Sequence, residues 1–153
     1  SPQYFTSIYQ LPRLLVPHFG HINLLHLMIN MFSFIRIGSI MESVLNKYYF
    51  PTVLILGVIS SLVHIYISYI GIYLYGIYDI YRSYSMGFSS ILFGLKYIYY
   101  KRLNSLITMF GIEINSSYAI WYDLIISQIM IPNASLIGHL SGIIAGIAVN
   151  ELI

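Results

Sequence analysis

The chain has 153 residues, of which 8% are Asp, Glu, Lys or Arg, against about 25% in an ordinary soluble domain, too few to clothe a water-exposed surface. Its formal net charge of +2 comes from seven basic and five acidic residues scattered singly, which is no electrostatic footprint for nucleic acid. Cysteine is absent, which excludes disulfide frameworks, thiolate catalysis and zinc–thiolate sites.

The opening residues, Ser1 to Gln10, are too polar and too short for a signal peptide, and the first residue is not Met, so the chain reads as starting partway into a longer frame. Residues 48–78 and 124–150 contain no charged side chain, and each stretch exceeds the roughly 20 residues that cross a bilayer. Apolar runs and their punctuation predict five spans: His21 to Met41, Phe50 to Ile72, Ser89 to Tyr100, Ser117 to Met130, and Gly138 to Leu152. Breakers separate them at Asn46–Lys47 and Pro51, Gly71, Gly76 and Asp79, Asn104–Ser105, and Pro132–Asn133. The third and fifth spans are short, which lets their first residues start below the membrane surface. Leu106 to Ile114 alternates poorly and is expected to be irregular or re-entrant. The expectation is an all-α, multi-pass membrane bundle forming one domain over residues 1–153.

Basic residues near span ends set orientation. Arg36, Lys47, Lys96, Lys101 and Arg102 fall on one side, and Arg13 and Arg82 on the other. The odd-numbered spans therefore descend from the luminal or extracellular side toward the cytosol. The 16 tyrosines include many near the proposed interfaces, where an amphipathic ring sits well.

Polar side chains inside membrane helices are costly, so each demands a function or a partner. His18, His21, His26 and Asn30 cluster at the first span, Gly87-Phe88-Ser89-Ser90 opens the third, and Gly138-His139 opens the fifth. At 1.5 Å per residue, His26, Ser89 and His139 lie about 22, 17 and 20 Å above the cytosolic ends of their helices, a similar depth. A hydroxyl and two imidazoles can thus converge. Serine becomes a nucleophile when a base takes its proton, and His139 suits that task, giving a Ser89–His139 dyad. No carboxylate is placed to complete a triad, so packing has to orient the imidazole, and Phe93, four residues after Ser89, is the candidate ring to stack on it.

His26 and Asn30, at i and i+4, share a face and can donate to an oxyanion, as can the backbone N–H of Ser89 at a helix start. Gly87 permits a tight turn into that helix. Gly138, Gly142 and Gly146, with Ser90 and Gly94, provide small-residue steps that let spans three and five pack backbone to backbone.

Plainer readings compete. Ser89 can serve as a helix cap, and His139 can donate to a backbone carbonyl. His18, His21 and His26 do not share one helical face and have no nearby carboxylate, which argues against a metal site. His21 suits a structural hydrogen bond in the loop, and His64 suits packing between helices. Glu42 and Arg36 can simply occupy the cytosolic interface.

The pieces His21-Ile-Asn-Leu-Leu-His26-Leu-Met-Ile-Asn30, Gly38-Ser-Ile-Met-Glu42, Gly87-Phe-Ser89-Ser and Gly138-His139-Leu-Ser-Gly142 together resemble the rhomboid family of intramembrane serine proteases, in order and over nearly the whole chain. The segments around Ser89 and His139 look most like the endoplasmic-reticulum branch of eukaryotic rhomboids, which the resemblance links to disposal of membrane proteins. It implies Ser89 as nucleophile, His139 as base, and His26 and Asn30 as oxyanion donors. It makes Gly38 and Glu42 a structural G-x-x-x-E motif, and Arg13 the arginine of a Trp-Arg loop motif. The implied substrates are single-span membrane proteins within the lipid bilayer, and no cofactor is implied.

Three departures stand out. The family's second glycine is Ser90, whose hydroxyl must find a partner. The loop tryptophan is Pro12. The six-helix core of the family has a helix before this loop, and none precedes Arg13, so five core helices are expected. The rival function is a catalytically silent relative that binds membrane helices for quality-control or degradation machinery. A channel or transporter would place polar residues along a whole pathway, whereas here they cluster at one depth.

Overall fold

A computed structural model of the chain describes residues 14–21, 23–77, 87–109 and 111–153. Among the described residues five α-helices follow in order: α1 (Leu24–Leu45), α2 (Tyr49–Tyr75), α3 (Ser89–Leu103), α4 (Ser116–Met130) and α5 (Leu136–Asn150). Short 3-10 turns, Val16–Phe19 and Asn46–Tyr48, precede α1 and α2. Each predicted span is a helix, with ends displaced by a few residues. The ends follow local chemistry. Asn23, Asn115 and Ser135 cap α1, α4 and α5 by accepting from the backbone N–H of His26, Ser117 and Gly138. Asn46 at φ 49°, Gly76 at φ 64° and Asn104 at φ 42° end α1, α2 and α3 in left-handed turns.

α1 and α2, at 22 and 27 residues, are about 33 and 40 Å long, enough to cross a hydrocarbon core of about 30 Å. Leu24–Tyr75 is long and apolar enough to span a membrane. Helices α3, α4 and α5, at 15 residues each, reach about 22 Å, short of that thickness.

Burial is inverted relative to a water-soluble protein. Leu24, Met28, Phe32, Ile35, Tyr66, Trp121, Ile125 and Ile129 are exposed, while His18, His26, Asn30, Thr52, Ser60, His64, Ser68, Ser90, Ser116, His139 and Ser141 are buried. Lipid makes that arrangement stable, because apolar side chains lose nothing by facing it and polar ones must find partners inside.

Helix α3 occupies the centre and packs against all four others. Ile91, Leu95 and Ile98 on one face join Ile37, Met41 and Leu45 of α1, Leu56 of α2, and Ala145 and Val149 of α5. Phe93 and Tyr100 on another join Ala119, Ile120 and Leu124 of α4 and Ile143 of α5. Gly142 lies against Ser90 and Gly146 against Gly94, so α3 and α5 run parallel, as the depth comparison requires. The tightest approach is between α3 and α5. A Cβ on Gly142 would meet the Ser90 carbonyl oxygen, and one on Gly146 would lie 2.8 Å from the Gly94 carbonyl oxygen. The small-residue steps therefore act as anticipated.

Two expectations need correction. The segment Leu106 to Ile114 is not irregular or re-entrant but an antiparallel hairpin, β1 (Leu106–Met109) with β2 (Ile112–Asn115), in register from Leu106↔Asn115 to Met109↔Ile112. Gly111, at φ 82°, supplies the positive φ that a two-residue turn needs. Ser105 and Ser116 close its base, the Ser116 N–H donating to the Ser105 carbonyl at 2.9 Å and the Ser105 N–H to Ser116 Oγ at 3.2 Å. Lys96, assigned to the cytosolic rim, instead turns inward from α3, and its Nζ pairs with Asp123 Oδ2 of α4 at 3.0 Å. The Tyr100 hydroxyl donates to the same oxygen at 2.9 Å, so an ion pair with a third partner ties α4 to α3.

Candidate active site

Ser89 is the first residue of α3, and the chain enters it through Gly87 at φ 125°. The Gly87 N–H donates to the Pro17 carbonyl at 3.0 Å, which ties this turn to the segment before α1. A Cβ on Gly87 would fall 2.7 Å from His26 Cε1 and 3.5 Å from Asn30 Nδ2. Glycine is thus required for its backbone angle and because two side chains of α1 press against it.

Those two side chains are the proposed oxyanion donors. His26 is 1% and Asn30 4% exposed, and among the described residues His26 Nδ1 and Nε2 and Asn30 Nδ2 have no hydrogen-bond partner. Buried donors are nearly always satisfied, and leaving one unpaired costs about 1–3 kcal/mol. Here unpaired nitrogens sit side by side next to the turn into Ser89. The first N–H groups of α3, Ser89 included, add donors with no acceptor inside their own helix.

His139 lies one turn into α5, buried, and its ring stacks on Phe93 with centroids 4.5 Å apart and planes 29° from parallel. Phe93 is one helical turn beyond Ser89 on α3, so the stack brings the imidazole to the end of α3 that carries the hydroxyl. Ser89 Oγ itself makes no hydrogen bond among the described residues. Where a serine does act as a nucleophile, its contact with the base is often long without substrate and tightens when substrate binds.

Sequence reasoning missed one partner. His139 Nδ1 lies 3.3 Å from Ser127 Oγ on α4, whereas packing alone was expected to orient the ring. Ser116, Ala119, Ile120 and Leu124 mark the buried stripe of α4, and Ser127 continues it at i+3 from Leu124, the signal that would have found it.

The remaining positions separate. Arg13 lies outside the described residues. His21 was expected to hydrogen-bond in its loop; among the described residues its buried Nε2 is unpartnered, and its ring meets His26 edge to face, centroids 5.3 Å apart. Gly38 is buried, and a Cβ there would lie 2.8 Å from the Tyr49 hydroxyl. Glu42 is exposed at the same end of α1, and its carbonyl accepts the Asn46 N–H. His64 is buried in α2 with both ring nitrogens unpartnered among the described residues.

His18 uses both nitrogens. Nε2 lies 3.0 Å from both the Gly57 carbonyl and Ser61 Oγ, and Nδ1 lies 3.1 Å from Ser90 Oγ. The hydroxyl that replaces the family's glycine therefore finds its partner in the loop before α1. Burial holds the His18 pKa below its usual value, offset in part by the bond to Gly57. An apolar groove lined by Tyr118, Trp121, Tyr122 and Ile125 on α4, with Ile114 and Asn115, includes none of the residues around Ser89.

Comparison with known proteins identifies the family of the chain. The chain is 34% identical over 141 residues to "Rhomboid-like protein 14, mitochondrial" of Arabidopsis thaliana, covering 90% of this chain and 42% of that protein. It is 28% identical over 137 residues to "Rhomboid-related protein 4" of Homo sapiens, covering 88% and 44%. It is 29% identical over 153 residues to "Rhomboid-like protein 15" of Arabidopsis thaliana, covering 95% and 37%. The chain thus spans less than half the length of these relatives, and no solved structure matches it. A family profile described as "Rhomboid domain" matches residues 9–153, and the chain accordingly belongs to the rhomboid family of membrane proteins.

Proposed function

We propose that this chain is the catalytic bundle of an intramembrane serine endopeptidase. The observation that carries this reading is the set of buried, unpaired nitrogens of His26 and Asn30 facing the turn that delivers Ser89. Donors held without an acceptor in a lipid-embedded interior are costly, and an oxyanion forming at Ser89 would satisfy them.

The reaction is acyl transfer. Ser89 Oγ attacks the scissile carbonyl carbon while His139 takes the hydroxyl proton. Negative charge collects on the former carbonyl oxygen, where His26, Asn30 and the Ser89 N–H donate to it. The intermediate collapses, the C–N bond breaks, and His139 returns the proton to the departing amine. Water, deprotonated by His139, then attacks the ester, releasing the acid and restoring Ser89. That second half needs water to reach Ser89 from the luminal or extracellular side. The substrates are transmembrane proteins, and a scissile amide inside a helix must first unwind, because its carbonyl is otherwise held in an intrahelical bond.

The competing reading is a silent helix-binding relative acting with degradation machinery. A fluorophosphonate probe on the full-length protein in detergent separates the two. Labelling that is lost in Ser89→Ala and in His139→Ala is expected, whereas a folded, full-length sample that never labels refutes the protease. The membrane of residence rests on motif likeness, which favours the endoplasmic reticulum, while one relative's name says mitochondrial. Imaging a tagged full-length protein against markers of both membranes decides that point.

A further inference from the structure

We infer that Ser127 of α4 is a positioning residue for His139, fixing which ring nitrogen carries the proton. The inference rests on the protease reading above and concerns how its base is held.

A serine hydroxyl has one proton to give and two lone pairs to accept with. Ser127 Oγ lies 2.8 Å from the Leu124 carbonyl oxygen, one turn earlier on the same helix. A carbonyl oxygen only accepts, so that contact takes the hydroxyl's single proton. What remains on Ser127 toward His139 is a lone pair. The contact between His139 Nδ1 and Ser127 Oγ, at 3.3 Å, is then a hydrogen bond only if Nδ1 carries a proton and donates it. In the neutral imidazole the other nitrogen, Nε2, is left bare. Nδ1 points at α4, so Nε2 is on the far side of the ring from that helix. It is the one nitrogen able to take a proton from Ser89.

The stacking of Phe93 on the ring face and the bond to Ser127 at the ring edge act on different motions. A stacked ring can still make a half-turn about its Cβ–Cγ bond, which returns a face to Phe93 but exchanges which edge faces α4, and the bond at Nδ1 opposes that turn. The bond also strengthens as the reaction proceeds. When His139 becomes an imidazolium, the Nδ1–H donor carries charge, and a charge-assisted hydrogen bond is about twice as strong as a neutral one. Ser127 thus favours the charged intermediate over the resting state, which is the condition for an interaction to raise the rate of a chemical step. A carboxylate in this place would do the same with more energy but would add a further charge to an interior that already pairs Lys96 with Asp123.

The test uses the full-length protein labelled with 15N-histidine, in detergent, alongside Ser127→Ala, Ser127→Thr and a His139→Gln reference that assigns the signal. The parent is expected to show a protonated, pyrrole-type Nδ1 and a bare, pyridine-type Nε2 at His139. Ser127→Ala is expected to lose that single tautomer. Its maximal rate of fluorophosphonate labelling should fall roughly 10–100-fold, the loss of one hydrogen bond to a charged ring, with the probe's half-saturating concentration unchanged. Ser127→Thr, which keeps the hydroxyl, should recover most of the rate and the tautomer. A parent His139 with its proton on Nε2, or a Ser127→Ala protein with unchanged tautomer and labelling, overturns the inference. If Ser127→Ala does not fold, the parent spectrum and the threonine variant decide it. A parent that never labels refutes the protease reading, while its 15N spectrum still decides where the His139 proton resides.

Discussion

Gly142→Ala is the sharpest single test of how the site is held. A methyl group there would meet the Ser90 carbonyl oxygen and lie 2.8 Å from the Ser90 carbonyl carbon and 2.9 Å from its Cα. All three atoms are backbone, so no side chain can rotate away. Non-bonded carbon and oxygen settle roughly 3.3–3.6 Å apart, so α3 and α5 must separate by about 1 Å. Overpacking of this size costs about 1–3 kcal/mol and lowers the melting temperature by several degrees. The larger effect falls on chemistry. Ser89 rides on α3 and His139 on α5, and displacing reacting groups by about 1 Å costs about 100-fold in rate. The assay is thermal unfolding in detergent together with the rate of fluorophosphonate labelling. Gly76→Ala is the control, since Gly76 has φ 64° with nothing within 4 Å of a Cβ; it should lose about 1–2 kcal/mol through backbone strain alone and label at the parental rate. A Gly142→Ala protein that melts and labels like the parent would refute the claim that backbone contact between α3 and α5 sets the geometry.

Three further outcomes follow. Asn30→Ala should slow labelling by about 10²–10³-fold without lowering the melting temperature, because it removes a buried donor that has no partner in the resting state; a lowered melting temperature at parental labelling rate would make Asn30 purely structural. Asp123→Leu alone strands Lys96 and should cost about 3–5 kcal/mol, whereas Lys96→Met with Asp123→Leu should regain most of it; equal losses in single and double variants, read by detergent unfolding, would deny that the pair acts as a unit. Burial lowers the His18 pKa in the folded chain, so as the medium is acidified the unfolded chain takes up a proton there before the folded chain does. Stability should therefore fall as the medium is acidified from about pH 7 to about pH 5, and His18→Phe should flatten that slope. An unchanged slope would assign the acid sensitivity elsewhere.

Helix positions were legible in the sequence because punctuation and capping residues lie where apolar runs stop: Asn46, Gly76, Asn104 and Ser135 all end or begin helices. The convergence of α1, α3 and α5 was legible too, since comparing depths needs only a fixed rise per residue and a common direction. The hairpin was not, because strands of four residues offer too few alternations to show a period of two. Lys96 was misplaced for a different reason. Counting basic residues treats each as a surface group, and only the rotation of α4 relative to α3 reveals that Asp123 meets it. Ser127 escaped in the same way. Serine is common on membrane helices, and its meaning depends on what faces it across the gap.

Because α3 touches each of the other four described helices, its residues are constrained from all directions, and the consequence is a gradient of mutational tolerance. Ile91, Leu95 and Ile98 have neighbours of fixed volume on several sides, so library variants there should survive only when size is kept. Phe32, Ile35, Ile125 and Ile129 face outward, where one greasy side chain serves as well as another. A saturation library scored for folded protein should therefore be depleted around the axial rod and permissive at the periphery.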